Sequence, residues 1–323
     1  MQAPAAKFIS KMLKPLVNER PYVLRGSEDL AQRLASLVLP KNKRIWVVTG
    51  DIVAFYPTIP RAKAITIVSN WWVRTYGQSC SEDMRVLFRL AMIAANEDLL
   101  FEFLDKTYLQ VRGLAMGIAC SPDVANLYGA HYEEKFFEAP HPEILFFGHY
   151  IDDCLGFVIA DSDIEAIDII SSLKYEGVEL EWEASELGAV FLDMRIYIDP
   201  ATGSVQWLPY RKRFNHLERI PFCSAHPKDV KKGTFLGEMS RLAILSSTCQ
   251  HYKDAVLDLQ SLYIARGYPV DLVKHWTKTN LLKRWENRLR EPKERGSGSG
   301  EGEQRAPTGA RRGEVEGRRG RAN

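Results

Sequence analysis

The spacing of apolar residues predicts an alternation of helices and short strands along the chain. Within residues 1–40, apolar side chains recur at helical spacing in two groups, namely Phe8, Met12, Leu13 and Leu16, and then Leu30, Leu34 and Leu37. Residues 45–53, IWVVTGDIV, are β-branched and aromatic instead. This segment predicts a buried strand that ends before Tyr56-Pro57, because proline cannot donate a hydrogen bond to a sheet.

The same alternation continues through the rest of the chain. The pattern is helical over residues 61–104, and a glycine-rich loop at 113–122 ends in Ser-Pro, which opens a helix at 123–137. Residues 144–160, ILFFGHYIDDCLGFVIA, hold two apolar runs around an acidic turn, which predicts a β-hairpin. Further predictions are a helix at 163–174, two strands at 178–198 and helices at 235–290. Helices interleaved with an antiparallel hairpin predict an α+β fold, not a parallel doubly wound sheet.

Composition limits the class of protein. With 323 residues, 46% of them hydrophobic, the chain can build the core of two or three domains or subdomains. It has no run of about 18 uninterrupted apolar residues, so we expect no membrane span. The five cysteines are widely spaced without a C-x-x-C pair, so we expect no zinc, no disulfide framework and an intracellular location. From Pro292 onward apolar residues are rare, which predicts a disordered tail at 291–323.

Charge is distributed unevenly behind a net charge of +2. Residues 1–210 hold 19 basic and 28 acidic side chains, whereas residues 211–290 hold 16 basic and 7 acidic ones. The basic second half indicates a polyanionic partner, although the same charges also fit an ordinary solvated surface.

Three aspartates stand where carboxylates are costly. Asp152 and Asp153 are adjacent inside the apolar hairpin, and Asp51 lies near the end of a hydrophobic strand. Like charges side by side repel, and each is costly to remove from water, so a cation is expected with them. Magnesium prefers such hard oxygen ligands, and two ions can stabilise the attacking and leaving oxygens of a phosphoryl transfer. The alternative is a plain acidic turn in the hairpin and a helix cap at Asp51.

Three segments together resemble motifs A, B and C of reverse transcriptases. They are TGDIVAFYPTIP at 49–60, QVRGLAMGIACSPDVANLYGAHYEE at 110–134, and FFGHYIDDCLGF at 146–157, which contains the family's Tyr-x-Asp-Asp core. Within the reverse transcriptases, YPTIP at 56–60 and GLAMG at 113–117 are most similar to Penelope-like retroelements. FLDMR at 191–195 and RGYP at 266–269 also resemble that family's pattern.

The resemblance implies a role for each matching residue. Asp51, Asp152 and Asp153 would be the catalytic ligands of two Mg²⁺ ions, with Mn²⁺ able to substitute. Tyr56 would be a steric gate whose ring clashes with a ribose 2′-OH and accepts deoxyribose. The nucleotide pocket would be lined by Gly113, Met116, Gly117 and Ser121. Primer and template would be contacted by Tyr150, Arg211, Lys212, Arg213, Lys228, Lys231 and Lys232, the basic residues touching the backbone without reading its sequence.

The resemblance also implies a right-hand polymerase fold, with a palm built on an antiparallel sheet with flanking helices and a mostly helical thumb. We expect partial fingers and lead-in helices at 1–48, the palm at 49–205 and a basic thumb at 206–290, the fingers being incomplete because only 50 residues precede Asp51. The implied activity is RNA-directed DNA synthesis in the nucleus from an RNA template, a DNA primer and dNTPs.

Two alternatives to that activity stay open. One is an RNA-dependent RNA polymerase, which shares the palm but usually has glycine where this chain has Ile151 and a smaller residue where it has Tyr56. The other is a truncated copy that binds template and primer without turnover.

Overall fold

The structure is a computed structural model that describes residues 2–211 and 219–288. Its helices are α1 (Gln2–Asn18), α2 (Ser27–Ser36), α3 (Phe55–Thr58), α4 (Arg61–Tyr76), α5 (Glu82–Asn96), α6 (Ser121–Phe136), α7 (Asp163–Ser171), α8 (Lys228–Ile244), α9 (Cys249–Ala265) and α10 (Val270–Glu286). Its strands are β1 (Ile45–Ile52), β2 (Leu100–Phe103), β3 (Lys106–Leu109), β4 (Ile144–Tyr150), β5 (Asp153–Ile159), β6 (Leu180–Ser185), β7 (Ala189–Phe191), β8 (Met194–Ile198) and β9 (Val205–Pro209). The predicted disordered tail at 291–323 lies outside the described residues.

The strands form three antiparallel sheets. The central one has four strands in the order β4-β5-β1-β6. Strands β2 and β3 form a separate hairpin, and β7, β8 and β9 form a three-stranded meander. Antiparallel sheets combined with packed helices confirm the predicted α+β class.

Strand β1 is buried on both faces for most of its length, because its side chains alternate between two cores. Trp46 and Val48 point into the core shared with helices α1, α4, α5 and α6. Ile45 and Val47 point the other way, toward α2 and the β7-β8-β9 meander. Asp51 is the only exposed residue of the strand. Its carboxylate therefore lies at the surface, at the end of a strand that is otherwise mostly buried.

Helices α8, α9 and α10 form a third core of their own around Phe235, Tyr252, Tyr263 and Trp276. Thr248 starts α9, where its hydroxyl accepts a hydrogen bond from the His251 amide at 3.1 Å, a standard N-terminal cap. This bundle confirms the helices predicted at 235–290, although α8 begins earlier, at Lys228. In the part of the chain that the structure describes, no helix is both long and apolar enough to cross a membrane.

Two segments differ from the sequence prediction. The sequence predicts helix as far as residue 104, but β2 and β3 form a hairpin there, with a turn at Leu104 and Asp105. The second strand predicted within 178–198 is split into β7 and β8 by a turn at Leu192 and Asp193. All four turn residues have positive φ, between 46° and 62°. Such two-residue turns usually contain asparagine or glycine, so the sequence lacks the usual signal at both.

Candidate active site

Strand register brings the three candidate aspartates to one end of the central sheet. Asp51 on β1 is the direct partner of Asp153 on β5, and Asp152 lies in the two-residue turn between β4 and β5. The Ile52 amide donates a hydrogen bond to the Asp152 carbonyl at 2.8 Å, which ties the turn to β1. Directly paired residues of an antiparallel sheet have Cα atoms about 4.5–5.5 Å apart. The carboxylates of Asp51 and Asp153 therefore belong to one exposed acidic surface.

The electrostatics of this surface favour a cation. Glu181 on β6 is the other direct partner of Asp51, so acidic side chains stand on three neighbouring strands. Among the described residues, neither Asp51 nor Asp152 forms a salt bridge. Like charges directly opposite one another in a sheet are destabilising. Bound positive charge would relieve that repulsion.

The side chains do not form a complete metal cage by themselves. Within residues 2–211 and 219–288, no three His, Cys, Asp or Glu side chains converge closely enough to hold an ion. Magnesium is commonly held by one or two carboxylates together with substrate phosphates. The exposed side chains of Asp51 and Asp152 fit that arrangement, and the assignment of Asp51, Asp152 and Asp153 as ligands stays a prediction.

The turn that carries Asp152 is strained. Ile151 has φ = 58°, in the left-handed region, where a β-branched residue is a genuine outlier. Strained backbone of this kind is concentrated at functional sites, where the surrounding structure holds it in place. Tyr150, which pairs with Asp153 across the turn, is half-buried, and its predicted contact with the primer stays a prediction.

Tyr56 lies on the short helix α3, four residues beyond β1, and is half-buried. Ala54, which precedes the helix, has a left-handed conformation with φ = 47°. This conformation turns the chain sharply between β1 and α3. Burial raises the pKa of Tyr56, and the charge of Asp152 raises the pKa further. The hydroxyl is therefore protonated at neutral pH.

Gly113 packs directly against the backbone that carries Tyr56. The Leu114 amide donates a hydrogen bond to the Tyr56 carbonyl at 2.8 Å. A Cβ atom at Gly113 would lie 2.5 Å from that carbonyl oxygen and 2.5 Å from the Pro57 Cα. Gly113 also has φ = 71°. Glycine is therefore required here for two reasons, the close approach of a second backbone segment and the left-handed conformation.

Alanine at this position should be far more disruptive than alanine at the other loop glycine. Gly117 has φ = 89° but open space where a Cβ atom would stand. We expect Gly113→Ala to lower the free energy of unfolding by about 3 kcal/mol or more, and Gly117→Ala by about 1 kcal/mol. Urea denaturation followed by tryptophan fluorescence measures both. Equal losses would contradict the proposed backbone contact.

The remaining predicted pocket residues lie along the loop into α6. Met116 is 74% exposed. Ser121 begins α6 and is buried, and its Oγ has no hydrogen-bond partner among the described residues. The structure thus brings the loop and the Tyr56 segment together through Gly113, whereas Ser121 lies beneath the surface.

Sequence reasoning did not single out Asp123, in the first turn of α6. It is buried, accepts a hydrogen bond from Ser10 Oγ at 2.6 Å, and lies 3.6 Å from the Lys14 ammonium. Its charge also raises the pKa of Tyr56. An aspartate in a first helical turn normally indicates only a favourable dipole interaction, so the sequence gives no signal for its tie to α1.

Of the predicted basic contacts, Lys228 and Lys232 are exposed on α8, whereas Lys231 is buried. The Lys231 Nζ donates to the carbonyls of Phe222 at 2.8 Å and Ser224 at 2.7 Å. This corrects the prediction for Lys231, because its ammonium already satisfies two backbone acceptors within the fold. Arg211 is half-buried. Lys212 and Arg213 lie outside the described residues.

Substitutions at Lys231 and Lys232, which are neighbours on α8, should therefore have different effects, one on stability and the other on nucleic-acid binding. Lys231→Ala leaves two carbonyls without their donor, and we expect the free energy of unfolding to fall by about 2–3 kcal/mol. Lys232→Ala should change it by less than about 0.5 kcal/mol while weakening binding to an RNA–DNA duplex at low salt. Chemical denaturation and fluorescence anisotropy measure the two quantities. A stable Lys231→Ala variant would rule out the structural role.

The sequence and the structure were compared with those of known proteins. No family model matches the sequence, and no curated protein matches it. Solved structures do match. Telomerase from Candida albicans, solved in complex with the TWJ fragment of telomeric RNA, aligns with a TM-score of 0.60 and 10% identity. The alignment covers 88% of this chain and 52% of that one.

Two further structures show the same relationship. Apo telomerase from Candida tropicalis aligns with a TM-score of 0.50 and 11% identity, over 88% of this chain and 51% of that one. The RNA-dependent RNA polymerase of BmCPV at its elongation state aligns with a TM-score of 0.50 and 10% identity, over 73% of this chain and 22% of that one. The chain thus spans about half the length of the telomerase chains it matches. At these identities the comparison concerns the fold, which is that of a right-hand polymerase, a palm followed by a helical thumb.

Proposed function

We propose that the chain is an RNA-directed DNA polymerase of a Penelope-like retroelement, which adds dNTPs to a primer 3′ end on an RNA template. One observation carries the proposal: the register of β1 and β5 sets Asp51 opposite Asp153, beside the Asp152 turn, within a polymerase palm. Asp51 and Asp152, which form no salt bridge among the described residues, have a clear use at that position in phosphoryl transfer. The motif resemblance supplies the family, and the fold supports the general class of reaction.

The cofactor in this proposal is a pair of Mg²⁺ ions, with Mn²⁺ as a substitute. When bound, they supply positive charge that stabilises the attacking and leaving oxygens. Asp51 and Asp152 are the side chains best placed to hold them, since both are exposed and lack salt bridges among the described residues. Asp153 adds negative charge from the adjacent strand position.

Selection of deoxyribonucleotides is assigned to Tyr56. The hydrogen bond from the Leu114 amide to the Tyr56 carbonyl fixes the Tyr56 backbone to the Gly113 loop, and the half-buried ring packs against the core around β1 and α6. A half-buried ring on a backbone fixed in this way can exclude an extra hydroxyl from a sugar placed against it. The shared fold alone does not choose between DNA and RNA products, because telomerase and an RNA-dependent RNA polymerase both match it.

Primer extension on an RNA template tests the proposal against its two alternatives. Incorporation of dNTPs in preference to NTPs is the expected result. Preference for NTPs would make the chain an RNA-dependent RNA polymerase. Tight binding of the duplex without extension by either set of nucleotides, with Mg²⁺ and with Mn²⁺, would make it a template–primer binding protein.

A further inference from the structure

Four polar side chains are buried directly behind the acidic turn. His149 on β4 and Cys154 on β5 are cross-strand partners just outside Tyr150 and Asp153. Glu133 comes from α6, and Tyr175 follows α7. All four are at most 2% exposed. Burying such groups is costly unless they satisfy one another, so this cluster calls for a physical reason.

Glu133 lies at the centre of the cluster. The Tyr175 hydroxyl donates to Glu133 Oε1, and His149 Nδ1 lies 2.5 Å from the same oxygen. Burial raises the pKa of both Tyr175 and Cys154, and the negative charge of Glu133 raises them further. Both groups therefore keep their protons, and Glu133 Oε1 accepts the hydrogen bond from Tyr175.

Tyr175 also reaches the other two segments of the candidate site. Its ring lies 6.4 Å, between centroids, from that of Phe55, the residue before Tyr56. On α6, a Cβ atom added to Gly129 would stand 3.4 Å from the Tyr175 ring and 3.5 Å from His149. Helix α6 therefore packs close to both side chains, at ordinary van der Waals distance from a methyl group placed at Gly129. Side chains of this one cluster contact the Tyr56 segment, the helix after the glycine loop and the strands that carry Asp153.

We propose that Glu133 and Tyr175 are positioning residues, which hold the Tyr150–Asp153 turn in register with Asp51 and the Tyr56 segment. The inference rests on the proposed function for its catalytic consequence, but its structural part stands on the contacts alone. A buried hydrogen-bonded group fixes geometry more strictly than apolar packing does, because each bond has a required distance and direction. Supporting groups of this kind change activity by about 10–100-fold when removed.

The test uses two conservative variants and two matched controls. Glu133→Gln keeps the shape but removes the charge, and Tyr175→Phe removes only the hydroxyl. Glu134→Gln is the control for the first, because Glu134 is the next residue of α6 and pairs with Arg20 at 3.2 Å, outside the cluster. Tyr132→Phe is the control for the second, because its hydroxyl meets Tyr128 at 3.3 Å on the same helix.

In primer extension, we expect kcat to fall by about 10–100-fold in Glu133→Gln and Tyr175→Phe, with KM for dNTP changed less than about threefold. Both controls should retain kcat. Hydrogen exchange measured by mass spectrometry should speed up in the peptide spanning 149–154 in the two variants and not in the controls. Loss of kcat together with a parallel rise in KM, or equal loss in the controls, would overturn the positioning role.

The exchange measurement separates this inference from the proposed function. If the parent chain extends no primer, the proposed function fails, yet faster exchange confined to 149–154 would still establish that the cluster holds the turn. If exchange rose uniformly across β1, β5 and α6, the cluster would contribute only to the overall stability of the fold, and the positioning role would be overturned. Unchanged exchange at 149–154 in both variants would overturn the inference even in an active polymerase.

Discussion

Replacing Asp152 by asparagine should reduce primer extension by at least about 10²–10³-fold while leaving the fold intact. The side chain is exposed on the two-residue turn and forms no salt bridge among the described residues, so no folded-state contact depends on its charge. What asparagine loses is the hard anionic oxygen that a divalent cation prefers. Steady-state extension at saturating dNTP and Mg²⁺ measures the effect, and circular dichroism checks the fold.

The matched control is Asp168→Asn, an exposed aspartate on helix α7 and not on the strands and turn that carry the acidic surface. It removes the same charge from the same chain and should retain full activity. Should both variants lose activity equally, net charge would explain the effect and the turn would have no special role. Full activity of Asp152→Asn would remove Asp152 from the catalytic set.

Removing a charge from the same acidic surface should increase the stability of the fold and abolish activity. Asp51 faces Asp153 on one side and Glu181 on the other, and opposed like charges in a sheet cost about 0.2–1 kcal/mol per pair. Asparagine at Asp51 should therefore raise the free energy of unfolding measured without divalent cations, and abolish extension. A fall in the free energy of unfolding would instead mean that these carboxylates stabilise the fold.

The parts of the site that the sequence predicts well are those where chemistry conflicts with the local pattern. Asp51 and the Asp152-Asp153 pair interrupt long apolar runs, which makes them stand out in the sequence although all three side chains are exposed in the structure. The hairpin around residues 144–160 follows from the same runs. Its two-residue turn fixes the register of β4 with β5, whereas the register of β5 with β1, which sets Asp51 opposite Asp153, depends on pairing between distant segments.

The parts that the sequence does not predict depend on contacts between distant segments. Lys231 and Lys232 are adjacent and chemically identical, yet one is buried and the other is exposed. The contact of Glu133 with His149, 16 positions further along the chain, forms only when α6 packs against β4. The turn at Leu104 and Asp105 adopts positive φ without glycine, so local propensity gives the wrong element there. In each case, tertiary packing decides what local pattern leaves open.

Truncating Tyr56 to alanine should let the enzyme accept ribonucleotides. The ring is half-buried on a backbone that is hydrogen-bonded to the Gly113 loop, and a rigid wall in that position excludes the 2′-hydroxyl by overlap. Removing the wall should lower the preference for dNTP over NTP by about 10²-fold, the scale on which pocket shape discriminates between substrates. The ratio of kcat/KM for dATP and ATP on a poly(U) template measures it.

Tyr56→Phe is the control that separates shape from hydrogen bonding. It keeps the ring and loses only the hydroxyl, so sugar discrimination should stay within about threefold of the parent value if exclusion is steric. Loss of discrimination in Tyr56→Phe would assign selectivity to the hydroxyl instead. If Tyr56→Ala itself kept its full preference for dNTPs, the ring would not be the gate. The choice between DNA and RNA products would then lie elsewhere in the pocket, and the reverse transcriptase proposal would lose its main support within the structure.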